Sequence, residues 1–277
     1  MKIFKIVILA LFVSANCSCA GAEKKEMKAS EIIALAKKGK PVQVAGKIII
    51  GDLDFTTVGK PFVVTANLLR CDIQSNIFFE QCVFMGKVTT NGKYSELPVQ
   101  TCFKNNLVFT GCDFRGEADF ESAVVFGMVN FSRSVFRENV NFNNMAVWAK
   151  DSYFAGINAE KRFLMIYASF AGNLNFFDAV FHENANFQET SVKGKLMFNN
   201  GSFEERAGFD MMEVYGNAFF NYAKFKKTAD FSQSRFMGSV EFVNVTIEEQ
   251  ANFEKTSFLN TVNFDGVDSA RLNHLNQ

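Results

Sequence analysis

Residues 251–264 read ANFEKTSFLNTVNF, and within this stretch Phe253, Phe258 and Phe264 stand five and then six residues apart. An α-helix shows its apolar face at steps of three and four, and a half-buried strand alternates every second residue, so neither period generates this spacing. The beat extends far beyond the stretch. Reading back from Phe264, the large apolar positions are Phe258, Phe253, Ile247, Phe242, Phe236, Phe231, Phe225, Phe220, Val214, Phe209, Phe203, Phe198, Val192, Phe187, Phe181, Phe176 and Phe170, with steps of five and six alternating throughout. The same beat runs from Phe103 through Phe109, Phe114, Phe120, Val125, Phe131, Phe136 and Phe142 to Val147, and a shorter run links Leu68, Ile73, Phe79 and Phe84. The chain is an internal repeat with an eleven-residue unit, which points to a stacked architecture.

A second position keeps time two residues before each large one. It holds Ala185, Ala207, Ala218, Ala229, Val240, Ala251 and Val262 in one half of the unit, and Ala168, Ala179, Thr190, Gly201, Ala223, Ser234 and Thr256 in the other. Residues i and i+2 of extended chain share a face, so each short segment turns one small and one large side chain inward. The residue between them is often polar and faces out, as at Asn175, Asn186, Asp230, Glu241, Asn252 and Asn263.

Units such as ANFEKTSFLNT (251–261) and ADFSQSRFMGS (229–239) resemble the pentapeptide-repeat proteins, in the Phe-centred variant with alternating five- and six-residue spacing. The resemblance covers roughly residues 44–268. It implies an all-β solenoid, a right-handed four-sided β-helix with one large apolar side chain per side. The amino end points to an exported bacterial member of the family. Four such sides make about 22 residues per coil. At the ~4.8 Å strand spacing, Phe103 to Phe264 gives about seven coils, or about 35 Å of rod, and the earlier segment about two more.

The composition fits this picture. There are 34 Phe against 5 Tyr and 1 Trp, so the aromatics serve as core filler without a polar handle, and only 3 Pro interrupt 277 residues. No polar linker follows residue 29, which argues for one elongated unit although the length allows two domains. The expected plan is a signal peptide over 1–22, a tether and capping helix over 23–43, the β-helix over 44–268 and a tail over 269–277.

At the amino end, Lys2 and Lys5 precede an apolar run from Ile6 to Val13, too short to span a bilayer and suited to a secretory signal. Two cleavage readings stand side by side. Ser14, Ala15 and Asn16 before Cys17 resemble a bacterial lipobox, with Cys17 carrying the lipid, although Asn16 departs from the small residue usual there. Ala20–Gly21–Ala22 fits ordinary cleavage, which would leave a soluble periplasmic or secreted form. The lipoprotein reading is preferred because the apolar run ends so close to Cys17. It places the protein on a bacterial membrane, facing the periplasm or the cell surface and held by the lipid alone. Beyond the tether, Ser30 is the expected cap of a helix EIIALAKKG that stops at Gly39 and covers the first strand edge. At the other end, either the tail caps the last coil or two rods meet as an end-to-end homodimer.

Chemistry-bearing motifs are scarce. Cys71, Cys82 and Cys112 fall in the small inward slot and read as buried small hydrophobes. Cys82 and Cys112 stack one coil apart if the interruption between them adds eight residues, and an exported protein can oxidise such a pair. Cys102 is expected on the outward side. With no CxxC and only His182 and His274 as histidines, no metal site is expected. No catalytic residue and no cofactor are expected either: the P-loop, GxSxG, HExxH and dinucleotide fingerprints are missing. His182 reads as a solvated residue of a side. The outward asparagines, including Asn130 and Asn141, are expected to bond along stacked coils as an amide ladder.

The beat slips once, in WAKDSYFAGINAEKRFLMIYASF (148–170), where Phe154 arrives seven residues after Val147. Here Trp148, Tyr153 and Tyr167 gather with Lys150, Lys161 and Arg162, the expected interaction patch. GKVTTNGKYSELPVQTC reads as a loop ejected around Asn91–Gly92. Some pentapeptide-repeat proteins mimic duplex DNA to gyrase through an acidic face, and this chain departs from them. Its charges balance at 29 and 29, removal of Lys2 and Lys5 leaves a net of only −2, and no basic footprint for nucleic acid exists. The sequence therefore points to a non-catalytic envelope scaffold that offers a flat side to an unknown protein or glycan. The alternative is an accessory or glycan-processing β-helix with a surface site near 148–167.

Overall fold

The computed structural model describes residues 24–275. The expected signal peptide (1–22), with Cys17, lies outside the described residues. Short strands stack in register into four sheets, each ten or eleven strands deep. In the order the chain visits them, sheet I contains Val42–Ala45, Ile77–Glu80 and Leu107–Thr110, and sheet II contains Ile48–Ile50, Val83–Phe84 and Asp113–Phe114. Sheet III contains Leu53–Asp54, Val88–Thr89 and Ala118–Asp119, and sheet IV contains Leu68–Ile73, Leu97–Phe103 and Val124–Val125. Pairing between coils is parallel, and from Leu107 onward most partners are 22 residues apart, as in Leu107 with Val129 and Ala207 with Ala229. The stack holds about one coil more than the spacing predicted, because the irregular amino-terminal segment contributes more than the beat there revealed.

The beat sets the core. Each sheet sends one column of large side chains into the axis, and the column from sheet I is an unbroken stack of nine rings: Phe79, Phe109, Phe131, Phe154, Phe176, Phe198, Phe220, Phe242 and Phe264. Successive centroids in it are 4.8–5.6 Å apart. Rings of neighbouring columns meet edge to face, as Phe176 does with Phe187 at 75°, the arrangement the ring quadrupole favours. Phe181, Phe203, Phe209, Phe225, Phe231, Phe236 and Phe253 are buried, whereas Phe258 and Phe264 in the final coil are only partly covered.

Two of the four corners turn tightly. After Phe120, the carbonyl accepts from Ala123 N–H at 3.2 Å, and Ser122 between them has φ +56°. The same left-handed residue recurs at Arg133, Asn144, Tyr167, Asp178, Glu189, Asn200, Met211, Tyr222, Gln233, Asn244 and Lys255. The outward asparagines lock these turns. Asn130, Asn141, Asn175, Asn186, Asn252 and Asn263 each accept, through Oδ1, the backbone N–H two residues on, at 2.8–3.1 Å. The expected ladder is thus mostly replaced by local turn caps; of the six, only Asn252 donates to its 22-residue neighbour, Asp230, at 3.2 Å. Axial bonding falls to another set: Asn106, Asn173, Asn217 and Asn221 accept backbone N–H groups one coil away.

The beat slip has a simple cause. Val129 pairs with Ser152, 23 residues on, and the next coil returns to 22 as Asp151 pairs with Asn173. One extra residue is absorbed at the corner between sheets IV and I. A size exchange follows in the same coil: Ala159 occupies the sheet II position held by Phe136 below and Phe181 above, while Phe163 occupies a slot held by Val140 and Ala185. Phe163 reaches across to Phe181 at 5.1 Å and fills the volume Ala159 leaves.

Three expectations change near the amino end. The helix is Ala29–Lys37, so Ser30 sits inside its first turn, and Glu31 Oε1 accepts the Lys28 N–H at 3.4 Å in place of a serine cap. Ala29, Ile32, Ile33 and Ala36 are buried on the first coil, and Gly39 ends the helix at φ +65°. The segment 88–103 is no loose loop: Asn91–Tyr94 pairs antiparallel with Leu97–Phe103, and the turn lies at Ser95–Glu96, both with positive φ. Asn91–Gly92 misled because the dipeptide most common at such turns here lies in a strand. Cys102 faces away from the axis yet is only 1% exposed, beside the Arg70–Asp72–Lys104 charge cluster.

Candidate interaction surface

On sheet IV the residue after each inward side chain points out, and its N–H donates to the inward carbonyl one coil below, as Trp148 does to Val125 at 2.9 Å and Lys193 to Phe170 at 2.9 Å. These residues form one straight column: Lys104, Phe126, Trp148, Ala171, Lys193, Tyr215, Met237 and Leu259. Phe126 and Trp148 stack at 6.2 Å and 12°, and Lys104 Nζ lies 5.1 Å from the Phe126 ring. Lys193 Nζ lies 3.3 Å from the centre of the Tyr215 ring. Trp148 is 63% exposed, although core aromatics elsewhere are sealed.

Beside this column runs a line of glycines at the corner into sheet I, namely Gly127, Gly172, Gly194, Gly216 and Gly238. A Cβ at Gly194 would lie 2.6 Å from the Gly172 carbonyl carbon, and one at Gly238 would lie 2.4 Å from the Gly216 oxygen. Only bare backbone permits that approach, so the outward column is flanked by a groove without side chains. Where the column reaches Ala171 it is interrupted, and a hollow of about 150 Å³ opens among Trp148, Ser169, Ala171, Ser191 and Lys193. The 22-residue recurrence of Gly172, Gly194, Gly216 and Gly238 was visible in the sequence and would have found this corner.

The expected patch divides. Trp148 follows the sheet IV strand Ala146–Val147, Lys150 lies in the following corner, and Tyr153 ends the sheet I strand Asp151–Tyr153. Lys161 and Arg162 sit at the corner between sheets II and III, and Tyr167 at that between III and IV. Lys161 is committed to Glu183 at 3.1 Å, which raises its pKa, and Glu189 beside Tyr167 pushes that phenol up. Trp148 and Tyr153 thus flank one corner of the coil with Lys150 between them, Tyr167 lies at the other corner of sheet IV, and Lys161 and Arg162 lie at the corner between sheets II and III.

A second hollow, about 350 Å³, lies on sheet III where Gly208 interrupts an outward column between Asn186 and Asp230. Asn184, Asn186, Gln188, Arg206 and Asp210 line it; burial pushes the Asp210 carboxyl up, and Arg206 pairs with Asp230 at 2.9 Å. His182 is a surface residue whose Nδ1 lies 3.1 Å from Glu204, itself 3.2 Å from Lys226; the two neighbours hold the Glu204 carboxyl low. Cys71, Cys82 and Cys112 are buried, and the in-register pairing of Val83 with Asp113 sets Cys82 next to Cys112. The Cys112 thiol draws Cys82 below an ordinary thiol, and the same contact, with burial, pushes Cys112 up. Burial also pushes up Cys71 and Cys102. Among the described residues no three histidine, cysteine or acidic side chains are grouped as a metal site would need.

A sequence model of the family described as pentapeptide repeats (9 copies) matches residues 231–271. No curated protein and no solved structure matches the chain. Residues 231–271 thus carry pentapeptide repeats, and the coil geometry of the matched residues continues with the same sheets and inward columns back through Leu107, as a pentapeptide-repeat protein would.

Proposed function

We propose that this protein is a non-catalytic, envelope-associated repeat scaffold whose sheet IV side docks a partner protein. The observation that carries the reading is the exposed column through Phe126 and Trp148: a solenoid needs its rings inside, and rings left outside mark a contact surface. Export through residues 1–22 and a lipid on Cys17 would hold the rod to a bacterial membrane. End-to-end pairing through the partly covered Phe258 and Phe264 belongs to the same proposal. The glycan-processing alternative would need carboxylates near 148–167, and the two there, Asp151 and Glu160, lie on sheets I and II, Asp151 accepting from Asn173 at 2.7 Å and Glu160 pairing with Arg137 at 3.1 Å. A glycan as ligand finds its best support in the polar hollow around Gly208, where amides, a carboxyl and a guanidinium converge.

Photo-crosslinking in intact cells of the native host tests the scaffold reading, with the crosslinker at position 148 and a control at the exposed Lys224 on sheet II. A single partner captured from 148 alone supports it. Equal capture from both positions, or none, overturns it. Fatty-acid labelling tests the tether: label present in wild type and absent from Cys17→Ser is expected, and an unlabelled wild type returns the choice to cleavage after Ala22.

A further inference from the structure

The interruption at Ala171 has the dimensions of one missing ring. Along the sheet IV column, Trp148 and Lys193 stand two coils apart, about 9.6 Å at the strand spacing, with Ala171 as the floor between them. The column itself shows what fills such a position. One coil below Trp148, the equivalent place holds Phe126, stacked on it at 12°; one coil above Lys193 it holds Tyr215, with the ammonium over its face. Trp148 therefore presents one covered face and one open face, and Lys193 presents a cation on the opposite side of the gap. Lys193 enters no ion pair among the described residues. The side walls are the small Ser169 and Ser191, and the hollow between them is mostly apolar in its lining.

Resting on the scaffold reading above, we infer that the Trp148–Ala171–Lys193 notch receives a single aromatic side chain from an extended segment of the partner protein, with acidic residues beside it. The ring stacks on the open face of Trp148, as Phe126 does on the other, and lies under the Lys193 ammonium in a cation–π contact. An acidic neighbour is favoured because Lys193 lines the notch with no carboxylate partner among the described residues. A protein side chain is favoured over a free aromatic molecule because the notch is open on one side and one ring wide. A lone ring there gains so few contacts that its dissociation constant stays near or above about 1 mM. A tethered ring adds the flanking groove along Gly172 and Gly194 and the exposed Phe126 and Tyr215 to its contacts.

Trp148 is the only tryptophan in the chain, so its emission reports the notch directly. The probe is an acidic hexapeptide with one 4-nitrophenylalanine, a quenching ring, compared with the same peptide carrying alanine at that position, both titrated into the full-length protein. Saturable quenching by the first peptide only is expected. Lys193→Ala should weaken it several-fold, and Ala171→Phe, which fills the gap with the protein's own ring, at least tenfold. Because a new ring also alters Trp148 emission, the unmodified Phe peptide is followed in parallel by the Trp148 indole N–H resonance. Quenching that is linear, or as strong in Ala171→Phe, overturns the inference. So does a mononucleotide, or free phenylalaninamide, that occupies the notch more tightly than the peptide. Capture from position 148 in cells with no peptide binding removes the notch assignment alone. Peptide binding with no capture removes the scaffold reading and leaves the notch.

Discussion

The exchange of sizes between Ala159 and Phe163 can be reversed, and the energetic consequence is large enough to measure. Phe163 is fully buried among Phe142, Phe176, Phe181 and Phe187, so Phe163→Ala should cost about 3–5 kcal/mol through lost transfer energy and a cavity. Ala159→Phe forces a second ring into space that Phe163 already occupies, an overpacking worth about 1–3 kcal/mol. Made together, the two changes restore the arrangement of the coils on either side: a ring at 159 would stack between Phe136 and Phe181, and a small residue at 163 would match Val140 and Ala185. The double variant should then lose only about 1–2 kcal/mol, giving a coupling of about 4–5 kcal/mol at the middle of these ranges, beyond the roughly 3 kcal/mol at the upper end of what contacting residues show. Chemical denaturation followed by far-ultraviolet circular dichroism, with Trp148 emission as a local probe one coil earlier, supplies the midpoints. If the double variant loses as much as the two single changes combined, Phe163 does not fill the space above Ala159 and the packing argument is wrong.

Gly194→Ala should lower the denaturation midpoint by an amount equivalent to at least about 2 kcal/mol, because its Cβ would meet the coil below at 2.5–2.6 Å; an unchanged midpoint would mean that the corner is not close-packed. A mild two-electron oxidant such as diamide should join Cys82 to Cys112 with loss of two hydrogens, since neighbouring strands bring their Cα atoms to about 4.8 Å, inside the disulfide range. Peptide mapping that finds both thiols intact, or the bond elsewhere, would contradict the stacking. Glu204 has a folded-state pKa below its unfolded one, so its contribution is present at neutral pH and lost as pH falls through the folded value. Wild type and Glu204→Gln should therefore differ slightly in Tm at pH 7 and converge below the carboxylate range. A gap that persists in acid would assign the effect to something other than the His182 and Lys226 partners.

What could be read in advance was whatever the axis dictates. Each inward position must hold a large or a small apolar side chain every five or six residues, so Phe176 through Phe253 announced both the repeat and its stacking. Elsewhere a local signal misled because a neighbouring coil supplied the deciding contact. Asn91–Gly92 looks like a turn, but its partners Val99 and Gln100 make it a strand. Cys102 occupies an outward slot, and only folding shows the charge cluster beside it. The outward asparagines repeat as a ladder would, yet their oxygens find the N–H two residues on before they find the next coil. The six patch residues are near one another in sequence, but a coil of 22 residues carries neighbours to opposite sides, which separates Lys161 and Arg162 from Trp148. The size exchange at Ala159 and Phe163 was written in the sequence and read as a disturbance of the beat, because a compensating pair makes sense only once both positions are known to share one coil.

Parallel pairing at a constant 22-residue offset makes length itself an adjustable property of this molecule. Excising residues 195–216 would set Gly194 before Asn217, as Gly216 now stands before it, and would return each inward column to a partner of its own kind. A change of one residue on a side turns inward residues outward, whereas loss or gain of a whole coil leaves every remaining contact type in place and alters only reach, by about 4.8 Å each time. A lineage that needed a longer or shorter rod could obtain it by unequal duplication, with no new packing problem to solve.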